Sequence, residues 1–430
     1  MPTDPHSRRQ FLAYLAASPL LSALGSRPTA TLGRHSEQSE ESAVPFERIT
    51  QMLEQAQEPT LIPTARHALN VFDFEPVAKS KVPPAHWAYL ATGTDDDGTI
   101  RANREGFNRY ELRMRRLVDV SHVDPSVQLY GEKWPTPIVI NPVGSQKAFH
   151  PEGEIAVARA AKALNHIQVL STVGTTSYED LSAARGQPVW FQLYHRQDWS
   201  QTLQMIKRVE KAGCPAIAFT VDLLGGSNRE TQVRDAQADT RTCSNCHTGG
   251  SPRPGMVGID ARDNRRKPML AAFSPGTPTE TGTPTWDYVK RIKDATTMKV
   301  LLKGIVTRED AELAVQHGVD GLFVSNHGGR AENSMRATIT SLPEVVAGVA
   351  NRIPVIVDGG FRRGTDIFKA LGLGATAVGI GRPYIWGLAS FGQEGVEVVL
   401  TLLRRELELV MRQAGTVSVK RITREYVVAR

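Results

Sequence analysis

His327 and Asp222 form the pair on which a reaction can turn. His327 stands in VSNHGGR, directly after an apolar run, and Asp222 closes the run AIAFTVD. Histidine titrates near neutral pH and so serves as a general base. An aspartate on its other ring nitrogen would hold the ring and stabilise the imidazolium. A lone histidine is more often a satisfied structural residue, but the position just past a strand, close to Arg330, favours chemistry. Arg229 in SNRET and Arg330 in GGRAE offer two guanidinium forks, a match for a planar carboxylate. Taken singly, each reads as a surface charge. Lys303 ends the apolar run KVLLKG, where a solvated ammonium is not expected, so it needs an anion. DGGFRRGTD (358–366) and GIGRP (379–383) combine glycines with Arg362 and Arg382. That composition suits a phosphate; the plain alternative is a pair of tight turns. RTCSNCHTGG (241–250) holds two of the three cysteines, Cys243 and Cys246, followed by His247. The spelling admits c-type haem attachment, a disulfide, a zinc half-site or no role.

The elements that must position these residues follow a rhythm. Apolar runs PIVINP (137–142), IQVLST (167–172), VWFQLY (189–194), AIAFTVD (216–222), KVLLKG (299–304), GLFVSN (321–326), PVIVDGG (354–360) and TAVGIGR (376–382) alternate with amphipathic segments. GEIAVARAAKALN, WSQTLQMIKRVEKAG, REDAELAVQHG and GTDIFKALGLG read as helices, several closing on Gly or Asn. Continuous apolar strands between helices imply a parallel sheet buried on both faces. Eight units imply an α/β fold, a closed (β/α)8 TIM barrel. An open doubly wound sheet is the rival, but no G-x-G-x-x-G follows the first strand. A barrel gathers its active site at the strand C-termini. Asn141, Ser171, Gln192, Tyr194, Thr220, Asp222, Lys303, His327, Asp358 and Arg382 should therefore converge. The connection 223–285 after strand 4 is too long for a simple turn and is expected over the mouth of that site. It carries the cysteine motif.

The 430 residues carry a net charge of +6, with lysine and arginine scattered rather than clustered among aromatics, so nucleic-acid binding is not expected. The start, HSRRQFLAYLAASPLLSALGS, pairs Arg8–Arg9 with an apolar stretch too short to span a bilayer. Ser7 to Leu12 resembles the twin-arginine export signal. The expected organisation is an export signal over 1–30, a polar linker over 31–65 and the barrel over 66–430. The expected location is the bacterial periplasm. DARDNRRKPMLAAF (260–273) is basic and then apolar, compatible with peripheral membrane contact or with a solvated loop.

HPEGEIAVARAA, WFQLY, FTVD, LLKGI, VSNHGGR, VDGGFRRGTDIFKALGLGA and IGRP, in this order, resemble the FMN-dependent α-hydroxy acid dehydrogenases and oxidases over about residues 70–425. The resemblance implies FMN as cofactor, a small L-2-hydroxy acid as substrate and a homotetramer or a larger ring. It implies His327 as base, Asp222 as its partner, Tyr194 near the substrate hydroxyl, and Tyr89, Arg229 and Arg330 on the substrate carboxylate. Pro142, Val143 and Gly144 would face the flavin, with Ser171, Gln192, Thr220, Lys303 and Ser325 around its ring system. Asp358, Gly360, Arg362, Gly381 and Arg382 would hold the ribityl chain and phosphate. The product is a 2-keto acid, with the α-carbon giving up a hydride or a carbanion; the sequence leaves both open.

Some positions depart from the family pattern. Val173 stands where glycolate oxidases carry tryptophan, and Gly144 where many members have alanine. Leu223-Leu224 replaces Thr-Pro, Asn228 replaces an arginine, and RAENS follows the histidine loop in place of Arg-Gln-Leu-Asp. A wider substrate than glycolate is expected. Electrons are expected to pass to a cytochrome or quinone, with an oxygen-using oxidase as the alternative. A haem c on Cys243 and Cys246, with His247 as proximal ligand and Met256 or Met269 as distal ligand, would serve such a relay. A Cys243–Cys246 disulfide fits an oxidising compartment equally well. Cys214 reads as a small core residue. A non-redox FMN barrel of the isopentenyl diphosphate isomerase type, or a barrel that binds without turnover, fits the His–Asp pair and the two arginines less well.

Overall fold

The computed structural model describes residues 61–239, 266–273 and 283–430. These belong to one compact unit, Thr60–Arg430. The export signal, most of the linker and the Cys243–His247 motif lie outside the described residues.

Eight parallel strands close into a barrel: β1 (Ile138–Ile140), β2 (Ile167–Ser171), β3 (Trp190–Leu193), β4 (Ala216–Thr220), β5 (Lys299–Ile305), β6 (Gly321–Val324), β7 (Val355–Val357) and β8 (Ala377–Ile380). The barrel closes through the β8–β1 pairing of Val378 with Ile138 and Gly379 with Val139. Every residue of β1 to β4 is buried, as expected for strands packed on both faces. Alternate residues explain this. Val139, Val169, Ala218, Leu301, Phe323 and Ile356 fill the barrel interior. Their neighbours face the helices and join the larger outer core.

The helices are α1 (Glu154–Leu164), α2 (Tyr178–Arg185), α3 (Trp199–Lys211), α4 (Trp286–Ala295), α5 (Arg308–Gln316), α6 (Thr338–Val349), α7 (Gly364–Gly372) and α8 (Arg382–Ala414). Local chemistry sets their ends. Ser177 and Thr307 cap α2 and α5 by accepting from the backbone N–H of Asp180 and Asp310. Gly186 closes α2 in the left-handed conformation. Helix α8 is broken at Phe391 and Gly392, whose backbones are not helical.

The two ends of the barrel differ. An antiparallel hairpin, Val127–Leu129 with Glu132–Trp134, covers the N-terminal end and sends Val127, Leu129 and Trp134 into the barrel interior. The C-terminal end is overhung by helices Pro84–Ala91 and Gly98–Glu105 and by the described residues 223–239 of the connection after β4. That connection contains a further helix, Glu230–Gln237, packed on Pro84–Ala91. It returns at Arg266–Phe273, where Met269 and Leu270 are buried in the outer core. Cys214 is a buried free thiol.

Candidate active site

The strand ends bring most of the expected residues to one cleft. Tyr89, Pro142, Val143, Gly144, Ser171 and Tyr194 line one part of it. Lys303, His327, Arg330 and Asp358 line another, and Gly360, Arg362, Gly381 and Arg382 a third.

His327 follows β6 with a left-handed backbone, φ 57°. A side-chain-bearing residue adopts this region only when its surroundings enforce it, a feature concentrated at functional sites. Here the backbone N–H of His327 donates to Ser325 Oγ at 3.1 Å. The imidazole lies between two groups. Its Nδ1 is 2.8 Å from Asp222 Oδ1, and its Nε2 is 3.3 Å from Tyr194 Oη. With Nδ1–H donated to the carboxylate, Nε2 is left as the basic nitrogen. Burial holds the His327 pKa below the usual histidine value, against the opposing pull of Asp222. Burial raises the Asp222 pKa, but the attraction of a protonated His327, the hydrogen bond from His327 and the Lys303 charge outweigh it, and the net shift is downward. Burial also pushes the Tyr194 phenol up, so it keeps its proton.

Asp222 reaches this position because residue 304 is glycine. The β5–β6 pairing shifts register between Lys303 and Ile305, and Gly304 has φ 119°. A Cβ there would stand 2.7 Å from Asp222 Cβ and 2.9 Å from its backbone nitrogen. Bulges of this kind commonly re-aim side chains beside active sites. The sequence reading passed over Gly304, although a glycine directly after a strand-end lysine was a usable signal.

A polar row crosses the barrel top on neighbouring strands. Ser171 Oγ donates to Gln192 Oε1 at 2.9 Å, and Gln192 Nε2 donates to Thr220 Oγ1 at 2.9 Å. Lys303 Nζ donates to Ser325 Oγ at 2.7 Å and lies 3.3 Å from Asp358 Oδ2. Ser325 and Asn141 in turn donate to Asp358, each at 2.7 Å. Gln192, Thr220 and Ser325 are buried within this row. Asp222 meets the cleft through its contact with His327.

The arginines divide into two groups. Arg330 stacks on the Tyr89 ring with its guanidinium carbon 4.5 Å from the centroid. It donates to the Thr92 carbonyl at 2.9 Å and to the Tyr89 carbonyl. Arg229 is half-buried and donates to Ser227 Oγ at 2.8 Å and to the Arg330 carbonyl at 3.4 Å. Its guanidinium sits beside Arg330 without lining the cleft. Arg362 and Arg382 stand on the far side, and Arg382 donates to the carbonyls of Leu90 and Gly328.

Burial lowers the pKa of Arg330 to about 9 and of Arg362 and Arg382 to about 10. None of the three forms an ion pair among the described residues. Gathering three such cations in one cleft is costly unless an anion joins them. Two further features fit a flavin mononucleotide. Asn141 Oδ1 and Arg330 Nη2 are buried without hydrogen-bond partners. A Cβ on Gly381 would stand in open space, so the backbone there can be approached closely. Arg362 and Arg382 have the charge to hold a phosphate, and Ser171, Gln192, Thr220 and Lys303 have the donors for a flavin ring system.

A residue missed from sequence is Glu154, buried at the start of α1. It accepts from the N–H groups of Gln146 and Thr175 and from the Thr175 and Thr176 hydroxyls. This carboxylate ties the loop that carries Gly144 to the loop that carries Val173. Those two residues touch: a Cβ on Gly144 would stand 2.5 Å from Val173 Cγ2.

Comparison with known proteins agrees with this geometry. Residues 78–429 match the model of the FMN-dependent dehydrogenase family. Glycolate oxidase 3 of Arabidopsis thaliana is 39% identical over 360 residues, covering 83% of this chain and 95% of that one. The glycolate oxidase of Spinacia oleracea is 40% identical over 364 residues, covering 84% and 95%. Among solved structures, mandelate oxidase with (S)-2-phenylpropionate aligns with a TM-score of 0.72 and 34% identity over 84% of this chain and 98% of its own. A provisionally named lactate oxidase of Pediococcus acidilactici aligns at 0.74 with 32% identity, over 84% of this chain and 95% of its own. The chain belongs to the FMN-dependent dehydrogenase family, oxidoreductases that act on the CH–OH group of 2-hydroxy acids.

Proposed function

We propose that this protein oxidises an L-2-hydroxy acid with a side chain larger than that of glycolate to the corresponding 2-keto acid. The observation that carries this reading is the His327–Asp222 hydrogen bond of 2.8 Å, made in the same cleft as the buried Arg330. His327, neutral at neutral pH, takes the hydroxyl proton at Nε2. Asp222 fixes the tautomer and stabilises the imidazolium. Tyr194 donates toward the same oxygen, and Tyr89, Arg330 and the adjacent Arg229 hold the carboxylate. FMN, when bound, supplies the two-electron acceptor. Lys303 places a positive charge at the barrel top, where reduction adds negative charge. Val173 lines the cleft with a smaller side chain than the tryptophan expected of glycolate oxidases, which leaves room for a longer substrate. Comparing kcat/KM for glycolate, L-lactate and L-mandelate tests this: either larger acid should exceed glycolate, and a clear preference for glycolate would overturn the size argument.

Two acceptors remain in this reading. The relatives named above are oxidases, which supports oxygen as acceptor. The twin-arginine start and the Cys243–His247 motif support an exported enzyme that reduces a cytochrome or quinone, through a haem c on that motif or beside a Cys243–Cys246 disulfide. Peroxide yield in air, set against anaerobic cytochrome reduction, separates the acceptors. A pyridine haemochrome spectrum of the exported protein separates haem from disulfide. Peripheral membrane contact by 260–273 and a homotetramer complete the proposal. No helix among the described residues is long and apolar enough to cross a membrane. Vesicle flotation and light scattering test the two points.

A further inference from the structure

A second cavity lies at the N-terminal end of the barrel, away from the catalytic cleft. Its walls are Trp134 from the covering hairpin, Trp190 at the start of β3, and Pro188. Three polar side chains, each at most 4% exposed, line it: Arg185, His166 and Gln168. None of them takes part in the chemistry proposed above.

Arg185 ends α2. Its Nη2 donates to Asn165 Oδ1 at 3.1 Å and to the His166 carbonyl at 3.0 Å. It forms no ion pair among the described residues, so a buried guanidinium is held by neutral acceptors alone. Gln168 Oε1 is buried and has no hydrogen-bond partner. His166 Nδ1 contacts the Ile138 carbonyl at 3.1 Å and Thr136 Oγ1 at 3.2 Å, and burial lowers its pKa to about 4, so the ring is neutral. Arg404 adds positive potential nearby. Glu132 is the one carboxylate in the lining; it is exposed and lies beyond ion-pair distance of Arg185. The cavity thus joins an uncompensated cation to two indole walls. Apolar walls with a few convergent polar groups are the composition of a small-molecule site.

We propose that this cavity binds a small carboxylate with a flat apolar body, its carboxylate on Arg185 and its body against Trp134 and Trp190. Benzoate is a suitable probe, used with the FMN-loaded enzyme. The Arg330→Met variant, made in a chain that also carries Arg229→Met, removes the guanidinium grip of the catalytic cleft, and isothermal titration of that variant should still show one benzoate per chain. Adding Arg185→Met should abolish it. Because Arg185 also bonds to its neighbours, a second variant, Gln187→Trp, plugs the cavity from its exposed rim and should abolish binding in a folded protein. Inorganic phosphate should compete at least tenfold less well than benzoate. The proposal is overturned if the chain with Arg229→Met and Arg330→Met binds no benzoate, if binding survives Gln187→Trp, or if phosphate competes equally.

Discussion

Val173 Cγ2 occupies the space that any side chain at position 144 would need. The approach of 2.5 Å to a Cβ built on Gly144 is closer than real Cβ atoms come. The two departures from the family pattern are therefore one structural unit, held in place by the Glu154 latch between their loops. Gly144→Ala should lower kcat/KM about tenfold or more by displacing Val173 into the cleft. Val173→Ala in the same chain should restore most of it, with a coupling of about 0.5–3 kcal/mol in a double-mutant cycle. Additive effects would show that the contact carries no energy.

In the proposed reaction neutral His327 is the working form of the base, so activity should fall as pH drops through its pKa. Because burial lowers that pKa, the acid limb of kcat/KM should lie below the ordinary histidine value of about 6.5. Asp222 pulls the pKa upward, so Asp222→Asn should move the limb to still lower pH. It should also slow turnover by about 100-fold or more through loss of the tautomer. A pH–rate profile whose limb moves upward in that variant would contradict the assignment.

Lys303 and Asp358 are paired inside the barrel top, both nearly inaccessible. Lys303→Met would leave the Asp358 carboxylate buried with only the Ser325 and Asn141 donors. Loss of one partner from such a pair costs about 3–5 kcal/mol. Urea unfolding of the apoprotein should register that loss. FMN retention on gel filtration should fall as well, and unchanged stability would show that the pair is not a structural tie.

His166 provides a stability test. Its folded-state pKa of about 4 lies below the unfolded value of about 6.5, so the unfolded chain takes the proton first. Stability is fully present above pH 6.5 and is lost as pH falls toward 4, by roughly 3 kcal/mol in total. His166→Asn should flatten that part of the stability profile. A variant with the wild-type acid slope would place the loss elsewhere.

All eight barrel strands stood in the sequence at their observed places, because a strand buried on both faces is a continuous apolar run. The run AIAFTVD already held Asp222 at its end, and VSNHGGR held His327 beyond the next turn but one. The convergence of Ser171, Gln192, Thr220 and Lys303 followed from the barrel alone. What escaped was set by contacts between distant residues. The hairpin at Val127–Trp134 owes its place to the barrel interior it plugs, and the break at Phe391–Gly392 accompanies a close approach of Gly387 to Gly395. Glu154 looked like an ordinary acidic residue at a helix start; its four donors come from two loops that only the fold brings together. The hydrogen bonds that join Gln192 to Thr220 and Ser325 to Lys303 depend on side-chain direction, which spacing does not reveal.

The proposed reaction requires that His327 takes the substrate proton as electrons leave the α-carbon. The most direct measurement is anaerobic stopped-flow of His327→Ala, mixed with L-lactate and followed by the visible absorbance of the bound flavin. The predicted result is a protein that retains FMN but bleaches at least about 100-fold more slowly than the unaltered chain. Flavin reduction at the unaltered rate would contradict the account.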